Sequence, residues 1–78
     1  MDREELRRRL AQRPNAVRFD ELRRYLELCG YTLDRSSGSH RVFWRAGHSV
    51  VIPYRRPHVL AVYVRRVLRE TRQDGDDV

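Results

Sequence analysis

The chain has 78 residues, room for one small domain with a thin core. With 40% hydrophobic and 36% charged residues it is neither a disordered nor a membrane protein by composition, and no apolar run approaches the ~20 residues of a spanning helix. The net charge is +6 and all 17 basic residues are arginine, the better planar and bidentate partner for phosphate, so a polyanion is the expected partner and a merely solvated surface the alternative.

The first residues, Met1-Asp2-Arg3-Glu4-Glu5, lack the apolar stretch of a signal peptide, and a cytoplasmic protein is expected. Residues 2–12 read as a charged helix. Leu6 and Leu10 make one i,i+4 pair, too narrow a stripe to fold alone, able to dock on the body or to contact another molecule. Asp2, Glu4 and Glu5 at the start and the arginines further on suit the helix dipole. Pro14-Asn15 breaks the helix.

Residues 18–29 form a second helix. Phe19, Leu22, Leu26 and Cys29 recur on one face, with Tyr25 on its flank. Cys29 is the only cysteine, so it closes no intramolecular disulfide and builds no thiolate zinc site; a buried structural thiol is expected. Gly30 follows where helices end in a left-handed cap.

Residues 31–35 alternate as a short strand, and Ser36 to Ser39 supply a turn, with Gly38 free to take positive φ. Residues 41–46 form a second strand, with Val42 and Trp44 on one face and Arg41, Phe43 and Arg45 on the other. Ala46-Gly47-His48 turns again. Residues 49–53 form an apolar third strand, which Pro53 stops or places at an edge. Tyr54-Arg55-Arg56-Pro57 is a basic loop. Pro57 is placed to open a last helix over 58–72, striped by Leu60, Val64, Val67, Leu68 and Thr71.

Three strands with two short connections make an antiparallel meander. Both apolar helix stripes are buried most economically on one face of that sheet. The expected class is α+β, in the order αβββα used by double-stranded-RNA-binding domains, preceded by a helical extension. The expected division is an extension over residues 1–16, the domain over 17–73, and a disordered acidic tail over 74–78.

The chemistry centres on Ser36-Ser37-Gly38-Ser39-His40-Arg41, a polar hairpin carrying a histidine where apolar sequence resumes. RNA carries its own nucleophile, the 2′-hydroxyl. Histidine titrates near neutrality and serves as a base without a metal. From the residues alone, His40 is equally a catalytic base and a turn histidine bonding its own loop. It has the parity of Val42 and Trp44, so it points inward if those face the helices and is free if the strand begins at Arg41. Core packing is the expected use of Trp44. Arginine is the natural phosphate clamp, with Arg41 and Arg45 first in that role and Arg55 and Arg56 second. His48 and His58 are the other proton carriers by type; a solvated and a structural role are expected for them. No metal-ligand spacing, phosphate-cradling glycine loop or Ser/His/Asp order is present, and no cofactor or metal is expected.

Helix, Gly30-Tyr31, strand, Gly38-Ser39-His40, strand, Val50-Val51-Ile52-Pro53, helix resembles the HicA family of toxins, over about residues 17 to 69. The Gly-Ser-His element is the most specific part of the likeness. Arg41 stands where many members carry a second histidine, and Arg55 where many carry Pro-x-His. The resemblance implies an mRNA interferase of a type II toxin–antitoxin system, with a double-stranded-RNA-binding-domain-like fold. It implies that His40 is catalytic and that a HicB-type antitoxin neutralises the toxin, which is expected to happen by covering the His40 face. With the chemistry of the residues themselves, Gly38, Ser39, Arg41, Arg45, Arg55 and Arg56 are the residues expected to contact mRNA. A non-catalytic RNA-binding module of the same fold is the alternative. A small protein that binds the acidic surface of another protein is a third reading.

Overall fold

Asp2 starts the first helix by accepting a hydrogen bond from the Glu5 N–H at 2.9 Å, and Glu4 and Glu5 fill the first turn. In a computed structural model, which describes residues 2–72, this helix, α1, spans Arg3–Gln12. A 3-10 turn over Pro14–Ala16 leads into α2, Phe19–Leu28. Strands β1, Thr32–Ser37, β2, His40–Arg45, and β3, His48–Pro53, follow, and α3 spans Ala61–Glu70. The strands form one antiparallel sheet in the order β1-β2-β3. The α+β class, the meander and the leading helix are as the sequence indicates. The acidic stretch 74–78 lies outside the described residues.

The helices share one core with one face of the sheet. Leu22, Tyr25 and Leu26 of α2, Val64 and Val67 of α3, and Phe43, Val50 and Ile52 of the sheet are buried together. Leu6 and Leu10 of α1 join them at 5% and 0% exposure, so the narrow leucine pair docks on the body. Arg7, between them, is also buried, and its guanidinium reaches α2 and α3. Cys29 is buried and unpaired with another cysteine, and Gly30 closes α2 at φ +93°.

The last helix departs from the expectation. It begins at Ala61, not after Pro57. The Val59 N–H donates to the Val17 carbonyl at 2.9 Å, and Val59 is buried, which holds the preceding chain extended. Leu60, expected on the core stripe, caps the helix in an extended conformation and is 43% exposed.

Strand boundaries also move. Ser36 and Ser37 belong to β1, leaving only Gly38-Ser39 as the turn, and His40 and His48 are the first residues of β2 and β3. A register shift between Leu33 and Arg35 leaves Asp34 as an extra residue. Cross-strand partners share a face. Leu33, Phe43 and Val50 therefore face the helices, and Arg35, Val42 and Val51 face outward.

Candidate functional site

Sheet parity decides where His40 points. Phe43 is fully buried and Trp44 is 46% exposed, so Trp44 is not a core residue as expected. His40 shares the outward face with Val42 and Trp44, and it is exposed. It sits across from Ser37 on β1 and Pro53 on β3. The histidine is thus in the strand and open to solvent at once, an arrangement that neither parity alternative contained.

The turn that presents it is anchored to the core. Gly38 takes φ +58°, which a side chain there would strain. Arg41 Nη1 donates to the Gly38 carbonyl at 2.7 Å, and its guanidinium lies 4.8 Å from the Tyr54 ring centroid. The Tyr54 N–H donates to the Ser39 carbonyl. Tyr54 meets Phe19 edge-on at 5.1 Å, and Phe19 meets the buried Phe43 at 6.1 Å. A chain of rings therefore runs from the core to the hairpin.

Arg55 and Arg56 follow directly from the end of β3, beside this turn. Both are exposed, and among the described residues their side chains make no hydrogen bond or ion pair. With Tyr54 they line one side of a cleft of about 270 Å³. Arg18 and Asp20, at the start of α2, line the other side. The part of Arg18 and Asp20 in this cleft is missing from the sequence reading. Neither the length nor the composition of the loop says that it returns to the first turn of α2.

Arg45 stands elsewhere. It ends β2, about 16 Å along the strand from His40 at the usual rise per residue. Its guanidinium lies 5.9 Å from the Tyr31 ring centroid and packs against Gly30. His48 pairs with Arg45 in the sheet and shares a hydrogen bond with Glu70 at 3.2 Å. The Arg66 hydrogen bond, with His48 adding, holds the Glu70 carboxyl below its usual range. His40, Gly38, Ser39, Arg41, Arg55 and Arg56 are therefore gathered at one end of the sheet, and Arg45 and His48 at the other. His58 is half-buried in the stretch before α3. Among the described residues no three His, Cys, Asp or Glu side chains cluster.

An exposed histidine on a core-anchored Gly-Ser turn, in a helix–meander–helix frame, is what the resemblance leads one to look for. The family model described as the HicA toxin of bacterial toxin–antitoxin systems matches residues 19–72, from the first residue of α2 to just past α3. The chain belongs to the HicA toxin family. Comparison with curated proteins and with solved structures finds no match. As a HicA toxin it is one half of a toxin–antitoxin pair. In this HicA chain α1 precedes the matched segment and is packed into the same core. No helix among the described residues is long and apolar enough to cross a membrane.

Proposed function

We propose that this HicA toxin is a metal-independent endoribonuclease acting on mRNA in the cytoplasm, with His40 as the general base. The observation that carries the reading is the exposed His40 on the outward sheet face, beside a loop whose two arginines make no ion pair or hydrogen bond among the described residues. His40 takes the proton of a 2′-hydroxyl, and the resulting oxyanion attacks the adjacent phosphorus. The bond from phosphorus to the 5′-oxygen breaks, and water protonates the leaving oxygen at this open site. The products are a 2′,3′-cyclic phosphate and a 5′-hydroxyl. One positioned base contributes on the order of 10²–10⁴ in rate.

Arg55 and Arg56 stabilise the phosphorane charge, since their side-chain donors are uncommitted among the described residues. Arg41 holds the Gly38-Ser39 turn and keeps further donors for the same phosphate. Arg45, at the far end of β2, contacts the RNA backbone further along. A HicB-like antitoxin silences the toxin by covering the His40 face.

The test is incubation of antitoxin-free protein with a structured mRNA in excess EDTA, beside His40→Ala. Cleavage by the wild type alone, leaving 2′,3′-cyclic phosphate ends, is the expected result. Salt-sensitive retention of uncut RNA by both proteins would instead make the chain a binding module.

A further inference from the structure

We propose that the cleft between the start of α2 and the loop after β3 is a base-selective pocket that takes one unpaired guanine nucleotide of the RNA substrate. The inference rests on the reading that RNA is the substrate and adds which part of the RNA is read, and where. The cleft holds about 270 Å³, close to the small end of ligand pockets, which suits a single nucleotide rather than a duplex. Its lining combines the parts that recognise an unpaired nucleotide: cations for the phosphate, a ring for the base face, and a polar group for the base edge. Arg18, Arg55 and Arg56 supply the cations and Tyr54 the ring.

Asp20 makes the pocket selective. Asp20 lines the cleft together with three arginines, at the rim it shares with a second hollow beside Arg9 and Arg24, yet among the described residues its carboxylate forms no ion pair or hydrogen bond. A carboxylate there opposes phosphate binding at its own position and only accepts hydrogen bonds. The group it matches is a pair of parallel N–H donors. Guanine presents such a pair, N1–H and the 2-amino group, on its pairing edge. Adenine and cytosine offer only an amino group there, and uracil only one imide N–H. The edge is reachable only when the base is unpaired, so the pocket directs the toxin to single-stranded stretches. The loop that carries Arg55 and Arg56 begins next to Pro53, the cross-strand partner of His40, so the cleft lies at the same end of the sheet as the histidine.

The experiment titrates the four ribonucleoside 5′-monophosphates, and inorganic phosphate, into the ¹⁵N-labelled full chain. These probes contain no cleavable diester, so binding is read independently of cleavage. GMP is expected to shift the amide resonances of Asp20 and of Tyr54 to Arg56 at about one-tenth the concentration that AMP, CMP or UMP requires, the discrimination of one good bidentate contact. Asp20→Asn is expected to abolish the preference while keeping weak binding of all four. Tyr54→Leu is expected to weaken all four and leave GMP first. Equal titration by the four nucleotides, the same shifts from inorganic phosphate alone, or shifts confined to other surfaces would each overturn the proposal. A protein that binds GMP in this way but whose His40→Ala variant still cleaves RNA would keep the pocket and remove the base assignment, so the two readings fail separately.

Discussion

The Arg7 guanidinium donates to the Tyr25 hydroxyl at 2.6 Å inside the helical layer. The same group donates to Thr71 Oγ1 at 3.2 Å and to the Leu68 carbonyl at 2.8 Å, tying α1 to α2 and to the end of α3. Burial pushes the Tyr25 phenol up, against its hydrogen bonds with Thr71 and Arg7, so the hydroxyl stays neutral in this network. Arg7→Ala strips buried hydroxyls and a carbonyl of a charged donor and opens a cavity. Urea denaturation is expected to show a loss of about 2–4 kcal/mol. A loss below about 0.5 kcal/mol, the range of an ordinary surface change, would mean that α1 is not part of the stable unit.

Ala46, in the turn between β2 and β3, stands at φ +46°, followed by Gly47 at φ +83°. Two positive φ values in succession are those of a type I′ hairpin turn, where Asn-Gly is the favoured pair. An alanine in that region is strained by about 1–2 kcal/mol relative to a permissive residue. Ala46→Asn is expected to raise the melting temperature by roughly 4–8 °C for each kcal/mol recovered in a domain of this size. The turn lies at the end of the sheet opposite His40, and the substitution leaves Arg45 in place, so RNA cleavage should be unchanged. An unaltered or lower melting temperature would argue against the left-handed turn.

The topology and most of the core were legible because periodicity reports burial. Leu22, Leu26, Val64 and Val67 lie where their spacing puts them, and Gly30 ends α2 as its position suggests. The face of β2 was not legible. Arg41, Phe43 and Arg45 look like the polar face by count, yet Phe43 fills the core centre. The two flanking arginines reach out at the ends of the strand, over Tyr54 and Tyr31. A strand with one aromatic on each face offers no pattern to choose between them. The cleft escaped for a different reason: Asp20 and Arg56 are far apart in sequence and are joined only by the return of the chain after β3. Burial of Arg7 escaped because a charged residue beside a leucine stripe is ordinarily solvated.

Acid should weaken the fold through Glu21. The Arg13 hydrogen bond, aided by the Arg18 N–H and opposed by partial burial, holds its carboxyl below the ordinary value of 4.5. A carboxyl whose pKa is depressed on folding contributes stability above its unfolded pKa and loses it as pH falls through the folded one. The contribution is therefore complete at neutral pH and is lost below about pH 4.5. Glu21→Gln is expected to lower the melting temperature at pH 7 and to flatten its fall between about pH 5 and 3. Melting curves at a series of pH values check this. Parallel profiles for the two proteins would remove Glu21 from the acid transition.

Trp44 gives the antitoxin proposal its own reporter. It is the only tryptophan of the chain, and it is 46% exposed on the sheet face that carries His40. Val51, on the neighbouring strand and the same face, is 38% exposed, so the face combines an aromatic anchor with apolar surroundings. Tryptophans in such positions are frequent hot spots, each worth about 2 kcal/mol or more when truncated. A HicB-like antitoxin that covers His40 must also dehydrate Trp44. Stoichiometric addition of the antitoxin, in a tryptophan-free form, is expected to shift Trp44 emission to the blue. Trp44→Ala should weaken the complex by about 2 kcal/mol, a factor of roughly 30 in Kd. Unchanged emission in a complex that nevertheless blocks cleavage would place the antitoxin on another surface, with inhibition exerted at the basic loop rather than over the histidine.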